Sequence, residues 1–160
     1  MEFQYDSYCG IYCGSCFVLC AYTQNRIDIV PEQWKERIKG MKLQCHGCKS
    51  QDVFENCKGC TRRPCAQAKG YDYCFQCPEY PCEIYTISKE KYNLAHHNVA
   101  QIRFKILQEK GCQEWLKYQE NRWKCPKCGE TFSWYEKTCF NCGNPVLDSI
   151  TEEQQINNQR

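Results

Sequence analysis

The sequence lacks the features that define several large classes of protein. Its N-terminus has no basic leader followed by an apolar run, so we expect no secretory signal. Its longest compact apolar stretch, CFVLCAY at residues 16–22, is too short to cross a bilayer. No succession of strand and helix patterns is present that could build a catalytic barrel. These absences predict a small cytoplasmic protein that has no membrane partner.

Cysteine, by contrast, is abundant, at 17 of 160 residues. Such a content indicates a scaffold that is cross-linked by disulfides or by metals. In a reducing compartment closely spaced cysteines are more often metal ligands than disulfides, and an odd number fits poorly with a complete set of bridges. The length fits one domain, or one domain with a small added module. We therefore predict a metal-binding protein.

Sixteen of the cysteines fall into groups by spacing, and Cys112 stands alone. The groups are N-terminal (Cys9, Cys13, Cys16, Cys20), central (Cys45, Cys48, Cys57, Cys60, Cys65, Cys74, Cys77, Cys82) and C-terminal (Cys125, Cys128, Cys139, Cys142). Sixteen ligands could supply four sites of four. A four-thiolate zinc site, like an oxidised four-iron cluster, carries two negative charges, so four sites would move the formal charge from +2 to about −6. That charge does not favour a nucleic-acid partner.

The C-terminal group has the most specific spacing. In WKCPKCGETFSWYEKTCFNCGNPV, two C-x2-C-Gly turns are separated by ten residues. Each turn presents two thiolates, and two such turns at the ends of a hairpin form a closed tetrahedral site. We predict a zinc ribbon over residues 123–147.

The central group contains a repeat, because residues 57–65 and 74–82 are both C-x2-C-x4-C and both end in Pro-Cys. We expect loops and short turns here, organised by ligands. The twelve cysteines before Glu83 can be divided into sites in three ways: contiguous groups of four, interleaved pairs in the central group, or a site that joins the Cys13–Cys16 turn to the Cys45–Cys48 turn. The spacing leaves all three open, and with them the role of Cys20.

Helical patterns occupy two other regions. Pro31 and Gly40 bound a segment in which Trp34, Ile38 and Met41 recur at helical spacing, which predicts a short amphipathic helix over residues 31–41. Residues 83–122 are rich in helix formers. Their apolar face is predicted from Val99, Ile102, Ile106 and Leu107, and it continues through Trp115 and Leu116 after a break near Gly111.

The fold class that we predict is a small, metal-stabilised, α-rich (α+β) protein. Residues 1–82 would form an irregular cysteine-rich domain, residues 83–122 a helical segment packed on it, and residues 123–147 the zinc ribbon. Residues 148–160 would be a polar tail, and its last ten residues, TEEQQINNQR, are unpatterned, which predicts disorder.

Several of these motifs resemble a known family. YCGIYCGSC at residues 8–16, CHGC at 45–48 and CAQAKGYDYCFQCPEYPC at 65–82 resemble a cysteine-rich family of bacteria and archaea, catalogued only as the domain of unknown function number thirty-seven ninety-five. The later segment up to Gly143 resembles its longer members, which add helices and a zinc ribbon. The resemblance implies a metal-binding protein with no assigned activity. Cys20 lies outside the family's core motif, and the cysteines that match it are Cys9, Cys13, Cys16, Cys45, Cys48, Cys74, Cys77 and Cys82.

Zinc is the metal that we expect. The C-x2-C turns are numerous, and a chain with few aliphatic residues before Glu83 needs structural metal to fold. Iron–sulfur clusters are the alternative, because the spacing of Cys9, Cys13 and Cys16 and the two Pro-Cys endings are typical of cluster-binding loops. Radical enzymes share the N-terminal spacing but need a partial barrel, which this chain lacks.

No catalytic residue is predicted. We interpret His96 and His97 as surface or capping residues and Cys112 as a packing residue. The hypothesis is a zinc-binding protein with several structural four-cysteine sites that acts as a protein-interaction or regulatory module and is not an enzyme. An iron–sulfur protein in electron transfer or redox sensing is the first alternative. A zinc-finger nucleic-acid-binding module is the second, and it depends on one basic strip: Lys58, Arg62, Arg63 and Lys69 beside Tyr71, Tyr73 and Phe75.

Overall fold

A computed structural model shows a helix-rich chain with very little β-structure. It describes residues 2–159, and for residues 88–92 it describes the backbone only. The α-helices are α1 (Phe17–Thr23), α2 (Glu32–Lys35), α3 (Glu55–Lys58), α4 (Arg62–Lys69), α5 (Glu83–Tyr92), α6 (Ala95–Arg122) and α7 (Ser149–Asn158). Short 3-10 turns lie at Cys13–Ser15, Ile27–Ile29 and Cys74–Gln76. Within the described residues, strand pairing is limited to two isolated antiparallel bridges, Lys124 with Thr131 and Thr138 with Pro145. The prediction of a small, helix-rich fold is confirmed.

The first predicted helical segment differs from the structure in length. The segment predicted over residues 31–41 is helical only in α2, which follows Pro31. Turn hydrogen bonds continue beyond it, from the Ile38 amide to the Trp34 carbonyl at 3.0 Å and from the Met41 amide to the Ile38 carbonyl at 3.0 Å. The Trp34 ring packs on Phe17 of α1, with ring centroids 5.6 Å apart. The predicted apolar spacing is therefore used for packing, although the helix itself is short.

The central cysteine group is more ordered than the prediction of loops and turns allowed. Helix α4 spans Arg62–Lys69 and carries Cys65 inside it. Pro64 lies in its first turn, where a missing amide proton costs nothing. Gly70 ends the helix in the left-handed conformation, with φ of +70°. Pro64 is thus tolerated inside this eight-residue helix, and Gly70 gives the helix its end.

Helix α6 is interrupted as predicted. Gly111 has φ of +82° and ψ of 173°, so the helix is broken there into two segments. The buried face differs from the prediction, however: Val99, Phe104, Leu107 and Trp115 are almost fully buried, whereas Ile102 is 39% exposed. The Phe104 ring contacts the rings of Phe75, Tyr80 and Tyr85. This face packs α6 on the cysteine-rich region, and aromatic residues of that region determine which side of the helix is buried.

The C-terminal residues form α7, so the prediction of a disordered tail is wrong. The Asp148 carboxylate caps the helix by accepting a hydrogen bond from the Thr151 amide at 2.7 Å. Glu152 then pairs with two arginines of α6, Arg103 and Arg122. The sequence of α7 shows no apolar pattern, because this helix is attached to α6 largely through charged side chains.

The segment between α6 and α7 packs against the N-terminal cysteine turn. The Trp134 amide donates to the Ser15 carbonyl at 3.0 Å, and the Ser149 amide donates to the Trp134 carbonyl at 2.7 Å. The Trp134 ring stacks on His96, with centroids 4.0 Å apart. Two further contacts join the same regions: Gln24 Nε2 donates to the Thr131 carbonyl at 3.0 Å, and Arg26 pairs with Glu136 at 3.1 Å.

None of the helices within residues 2–159 combines the length and the apolar character that a membrane crossing requires.

Candidate metal centre

The four C-terminal cysteines converge on one point. The Sγ atoms of Cys125, Cys128, Cys139 and Cys142 all lie within 4.8 Å of one another. Cys125 Sγ is 3.6 Å from Cys142 Sγ, and Cys128 Sγ is 3.5 Å from Cys139 Sγ. Four sulfurs around a tetrahedral zinc ion, each about 2.3 Å from the metal, would be about 3.8 Å apart. We call these four residues the tetracysteine site, and its dimensions suit one metal ion.

Two equivalent turns build the tetracysteine site. In the first, the Gly129 amide donates to the Cys125 carbonyl at 2.8 Å, and the Cys125 amide donates to the Glu130 carbonyl at 2.8 Å. The second repeats this pattern, with the Gly143 amide on the Cys139 carbonyl at 2.9 Å and the Cys139 amide on the Asn144 carbonyl at 2.8 Å. Both glycines have positive φ. The C-x2-C-Gly sequence therefore sets the direction of each pair of thiols.

Hydrogen-bond donors favour ionisation of one thiol in this site. The backbone amide of Glu130 and the side chain of Asn141 lower the pKa of Cys128 to about 6. A metal ion needs thiolate rather than thiol ligands, so such donors prepare the residue for binding. Both donors lie within the two turns, so these turns alone supply the groups that favour the Cys128 thiolate.

The structure also gathers seven cysteines from the first sixty residues. Beyond the effect of burial, neighbouring thiols raise the pKa of four of them, Cys13, Cys16, Cys48 and Cys57. We call the whole set the seven-thiol group: Cys9, Cys13, Cys16, Cys45, Cys48, Cys57 and Cys60. Burial raises the pKa of Cys13, and the neighbouring thiols of Cys48, Cys16 and Cys45 raise it further. The structure thus places the Cys13–Cys16 turn next to the Cys45–Cys48 turn, as in the third of the predicted divisions. In the part of the chain that the structure describes, however, only the tetracysteine site brings three or more ligand atoms within 4.8 Å. The division of the seven-thiol group into sites thus stays open.

Backbone amides point at the sulfurs of the seven-thiol group. The Cys16 thiol accepts hydrogen bonds from the amides of Leu19 and Val18, at the start of α1. The Cys13 thiol accepts one from the Cys48 amide, and the Cys48 thiol one from the Tyr8 amide. Amide donors to sulfur stabilise thiolates and orient metal ligands. Sequence reasoning missed these donors, because a backbone amide leaves no mark in the residue type.

Burial has the opposite effect on the same thiols. It raises the pKa of Cys16 to about 12, and it raises the pKa of Cys13 well above its usual value, with the neighbouring Cys48 thiol adding to the effect. Without a cation these thiols are protonated at neutral pH. A bound metal would provide the positive charge that makes the thiolates stable, and each would release its proton on binding.

Cys20 differs from Cys13 and Cys16 in its hydrogen bond, because its thiol contacts a backbone carbonyl rather than a backbone amide. Its side chain is 1% exposed, and its thiol donates to the Gly14 carbonyl at 3.4 Å. It remains close enough to raise the pKa of Cys16. Its role as a ligand stays a prediction.

The remaining four predicted ligands, Cys65, Cys74, Cys77 and Cys82, lie around a cavity of about 220 Å³. Cys112, the ungrouped cysteine, lies on α6 beside the hydroxyl of Tyr73. All sixteen predicted ligands are thus either in the tetracysteine site, in the seven-thiol group, around this cavity, or, for Cys20, next to Cys16.

The other candidate residues have structural contacts. His96 is buried, and its Nδ1 lies 2.5 Å from the Tyr135 hydroxyl. His96 is therefore part of the core rather than a surface residue as predicted. In the basic strip, Arg62 donates to the Tyr85 carbonyl, Arg63 to the Ser50 carbonyl, Lys58 to Glu55 and Lys69 to Glu79. Each of its four cations has a partner within the chain.

Fold and site together define a helix-rich, cysteine-rich protein with a tetracysteine group that could hold a metal ion. Residues 5–87 match the family described as "Protein of unknown function (DUF3795)". This match covers just over half of the chain, which belongs to that uncharacterised family. It ends before the tetracysteine site, so the predicted longer form stays a prediction. No curated protein and no solved structure matches the chain.

Proposed function

We propose that this chain is a zinc-binding protein whose metal sites are structural. The convergence of the four sulfurs of the tetracysteine site supports this most directly, with two sulfur–sulfur distances of 3.6 and 3.5 Å. Four cysteine ligands close the coordination sphere of zinc and leave no position for a substrate, which is characteristic of structural sites. Residues 123–147 would be the zinc ribbon.

We extend zinc binding to the seven-thiol group. Three features support this extension: the mutual proximity of its thiols, their burial, and the amides that point at their sulfurs. Zinc would supply folding free energy to a region that is otherwise held by short helices and turns. Which of the seven thiols share an ion is a question for metal counting.

The function that fits such a scaffold is interaction with, or regulation of, another protein. The cations of the basic strip are engaged within the chain, which weakens the case for nucleic acid. On α5, Ile84 and Ile87 are 40% and 45% exposed, and aliphatic side chains of this kind are available for contact with a protein.

The test is to purify the chain without oxygen and to measure zinc, iron and sulfide per chain. The variant Cys125→Ser/Cys128→Ser should lose one zinc ion relative to wild type and should unfold at a lower temperature. The matched control is Cys112→Ser, which should keep the wild-type zinc content.

An unchanged zinc content in the double variant would contradict the assignment of the tetracysteine site. Retention on a single-stranded DNA column that weakens steeply with salt would instead support the nucleic-acid alternative, because phosphate contacts have that dependence.

A further inference from the structure

A separate cysteine-lined cavity lies between α4, the Cys74–Gln76 turn and the start of α5. Its volume is about 220 Å³, and its lining includes four thiol-bearing residues: Cys65, Cys74, Cys77 and Cys82. One water molecule occupies about 30 Å³ in the liquid, so the space is about seven times larger than a single water requires. We call this space the cysteine cavity.

The cysteine cavity differs from the tetracysteine site in the separation of its sulfurs, as the seven-thiol group does, and it adds a free volume that its four thiol-bearing residues line. The tetracysteine sulfurs lie within 4.8 Å of one another, and within residues 2–159 no other set of three ligand atoms does. A single zinc ion draws four sulfurs to about 3.8 Å and leaves no free volume between them. A four-iron cluster, in which each cysteine binds a different iron, holds its four thiolates farther apart and fills the space between them.

Two cations, Arg62 and Lys69, and two carboxylates, Glu79 and Glu83, line the cysteine cavity. Lys69 Nζ lies 3.7 Å from Cys77 Sγ, and it also interacts electrostatically with the Cys65 thiol. Arg62 also lines the cavity, and its charge acts on the Cys74 thiol against burial and the neighbouring Cys9 thiol, which together raise the pKa of Cys74. An oxidised four-iron cluster with four thiolates has two negative charges, and it would lie next to Arg62 and to Lys69, which also pairs with Glu79. Apolar and aromatic groups, among them Ala66 and Tyr85, complete the wall.

We propose that Cys65, Cys74, Cys77 and Cys82 bind a [4Fe–4S] cluster in this cavity. The proposal goes beyond the zinc function above and does not depend on it. Each cysteine would bind one iron, with Arg62 and Lys69 next to the cluster. The chain would then have two kinds of metal centre: compact zinc sites and one larger cluster site.

The test is anaerobic reconstitution of the full chain with ferrous iron and sulfide, followed by iron and sulfide analysis and visible spectroscopy. We expect about four iron and four sulfide per chain and a brown protein. The variant Cys74→Ser/Cys77→Ser should lose the colour and most of the iron. Cys125→Ser/Cys128→Ser and Cys112→Ser should keep both, because their thiols lie outside the cavity.

A second measurement needs no variant and so does not depend on variant folding. The reconstituted and the untreated wild-type chains are alkylated under native conditions, and each cysteine peptide is quantified by mass spectrometry. The cluster should protect Cys65, Cys74, Cys77 and Cys82 specifically. A colourless protein that takes up only zinc, full iron content in the Cys74→Ser/Cys77→Ser variant, or protection of other cysteines instead would overturn the proposal.

Discussion

Gly47 shows how closely the N-terminal segment is packed on a cysteine turn. It lies between Cys45 and Cys48 with φ of +107°, and a Cβ atom there would be 1.7 Å from the Gln4 carbonyl oxygen. The Gln4 amide also donates to the His46 carbonyl at 2.8 Å. The absence of a side chain at this position is what lets the two backbone segments meet.

We predict that Gly47→Ala lowers the free energy of unfolding by more than about 2 kcal/mol. The positive φ alone costs about 1–2 kcal/mol in any other residue, and displacement of residue 4 adds to it. The measurement is urea denaturation of the metal-loaded protein. Gly40→Ala is the matched control, because Gly40 has φ of +76° but a Cβ atom there would point into open space. Equal losses in both variants would show that the close approach to Gln4 is unimportant.

The neighbouring histidines predict a pH dependence. Burial lowers the pKa of His97 to about 4 and that of His96 well below its usual value. In the unfolded chain both would take up a proton near pH 6.5. The unfolded state therefore binds more protons below that pH, and the stability present above pH 6.5 is lost as the pH falls towards 4.

For His97 alone, this loss amounts to about 2 kcal/mol between pH 7 and pH 5. The measurement compares wild type with His97→Gln by urea denaturation at both pH values. Loss of metal in acid affects both proteins, so the difference between them isolates the histidine. If that difference is the same at pH 7 and pH 5, His97 does not titrate as its burial implies.

At the scale of elements, α7 depends on one carboxylate. Glu152 pairs with Arg122 at 2.6 Å and with Arg103, and Arg103 is only 5% exposed. Arg103 also donates to Gln119 Oε1 at 3.3 Å. Removal of Glu152 would leave two arginines without their shared anion on the buried side of α6.

We predict that Glu152→Ala detaches α7 and destabilises the protein by about 3–5 kcal/mol, the usual cost of breaking a buried ion pair on one side. Hydrogen exchange should show lost protection over residues 149–158. Gln155→Ala, on the exposed side of the same helix, should change neither quantity. Retained protection in Glu152→Ala would mean that apolar contacts suffice to hold α7.

The same helix shows which elements can be predicted from sequence. The break at Gly111 and the paired turns of the tetracysteine site follow from local chemistry, because glycine conformation and C-x2-C spacing act within a few residues. Helix α7 could not be predicted, since its partners Arg103 and Arg122 lie 49 and 30 residues earlier in the chain. Burial of Phe104 in place of Ile102 likewise depends on rings from another region.

The grouping of thiols was unpredictable for the same reason. Spacing identified all the candidate ligands, and it left open which turns meet. In the structure the Cys74 amide donates to the Tyr8 carbonyl at 2.7 Å, and Lys49 pairs with Asp6 at 2.7 Å. Such contacts bring the segments of the cysteine-rich region together, and they join residues that lie far apart in the chain.

At the scale of the whole molecule, the two halves should unfold together. The C-terminal segment is joined to the N-terminal cysteine turn through Trp134, Gln24 and Arg26. Trp115, Trp123 and Trp134 are all buried in the shared core. If both halves hold the metal proposed above, its loss from either half would remove contacts on which the other half depends.

We predict that titration with a zinc chelator at neutral pH gives one transition, in which zinc release and the near-ultraviolet circular dichroism of the tryptophans change together. The physical reason is that metal binding and folding are coupled in small cysteine-rich proteins. Two well-separated transitions would instead mean that the halves fold independently.

The hydrogen bond between Trp134 and Ser15 also has a consequence for biosynthesis. Ser15 is synthesised before its partner Trp134, which follows it 119 residues later in the chain. Until Trp134 has been synthesised, the N-terminal cysteine turn lacks the surface that covers it. A prematurely terminated product would keep this turn uncovered, and proteases could distinguish it from the finished chain.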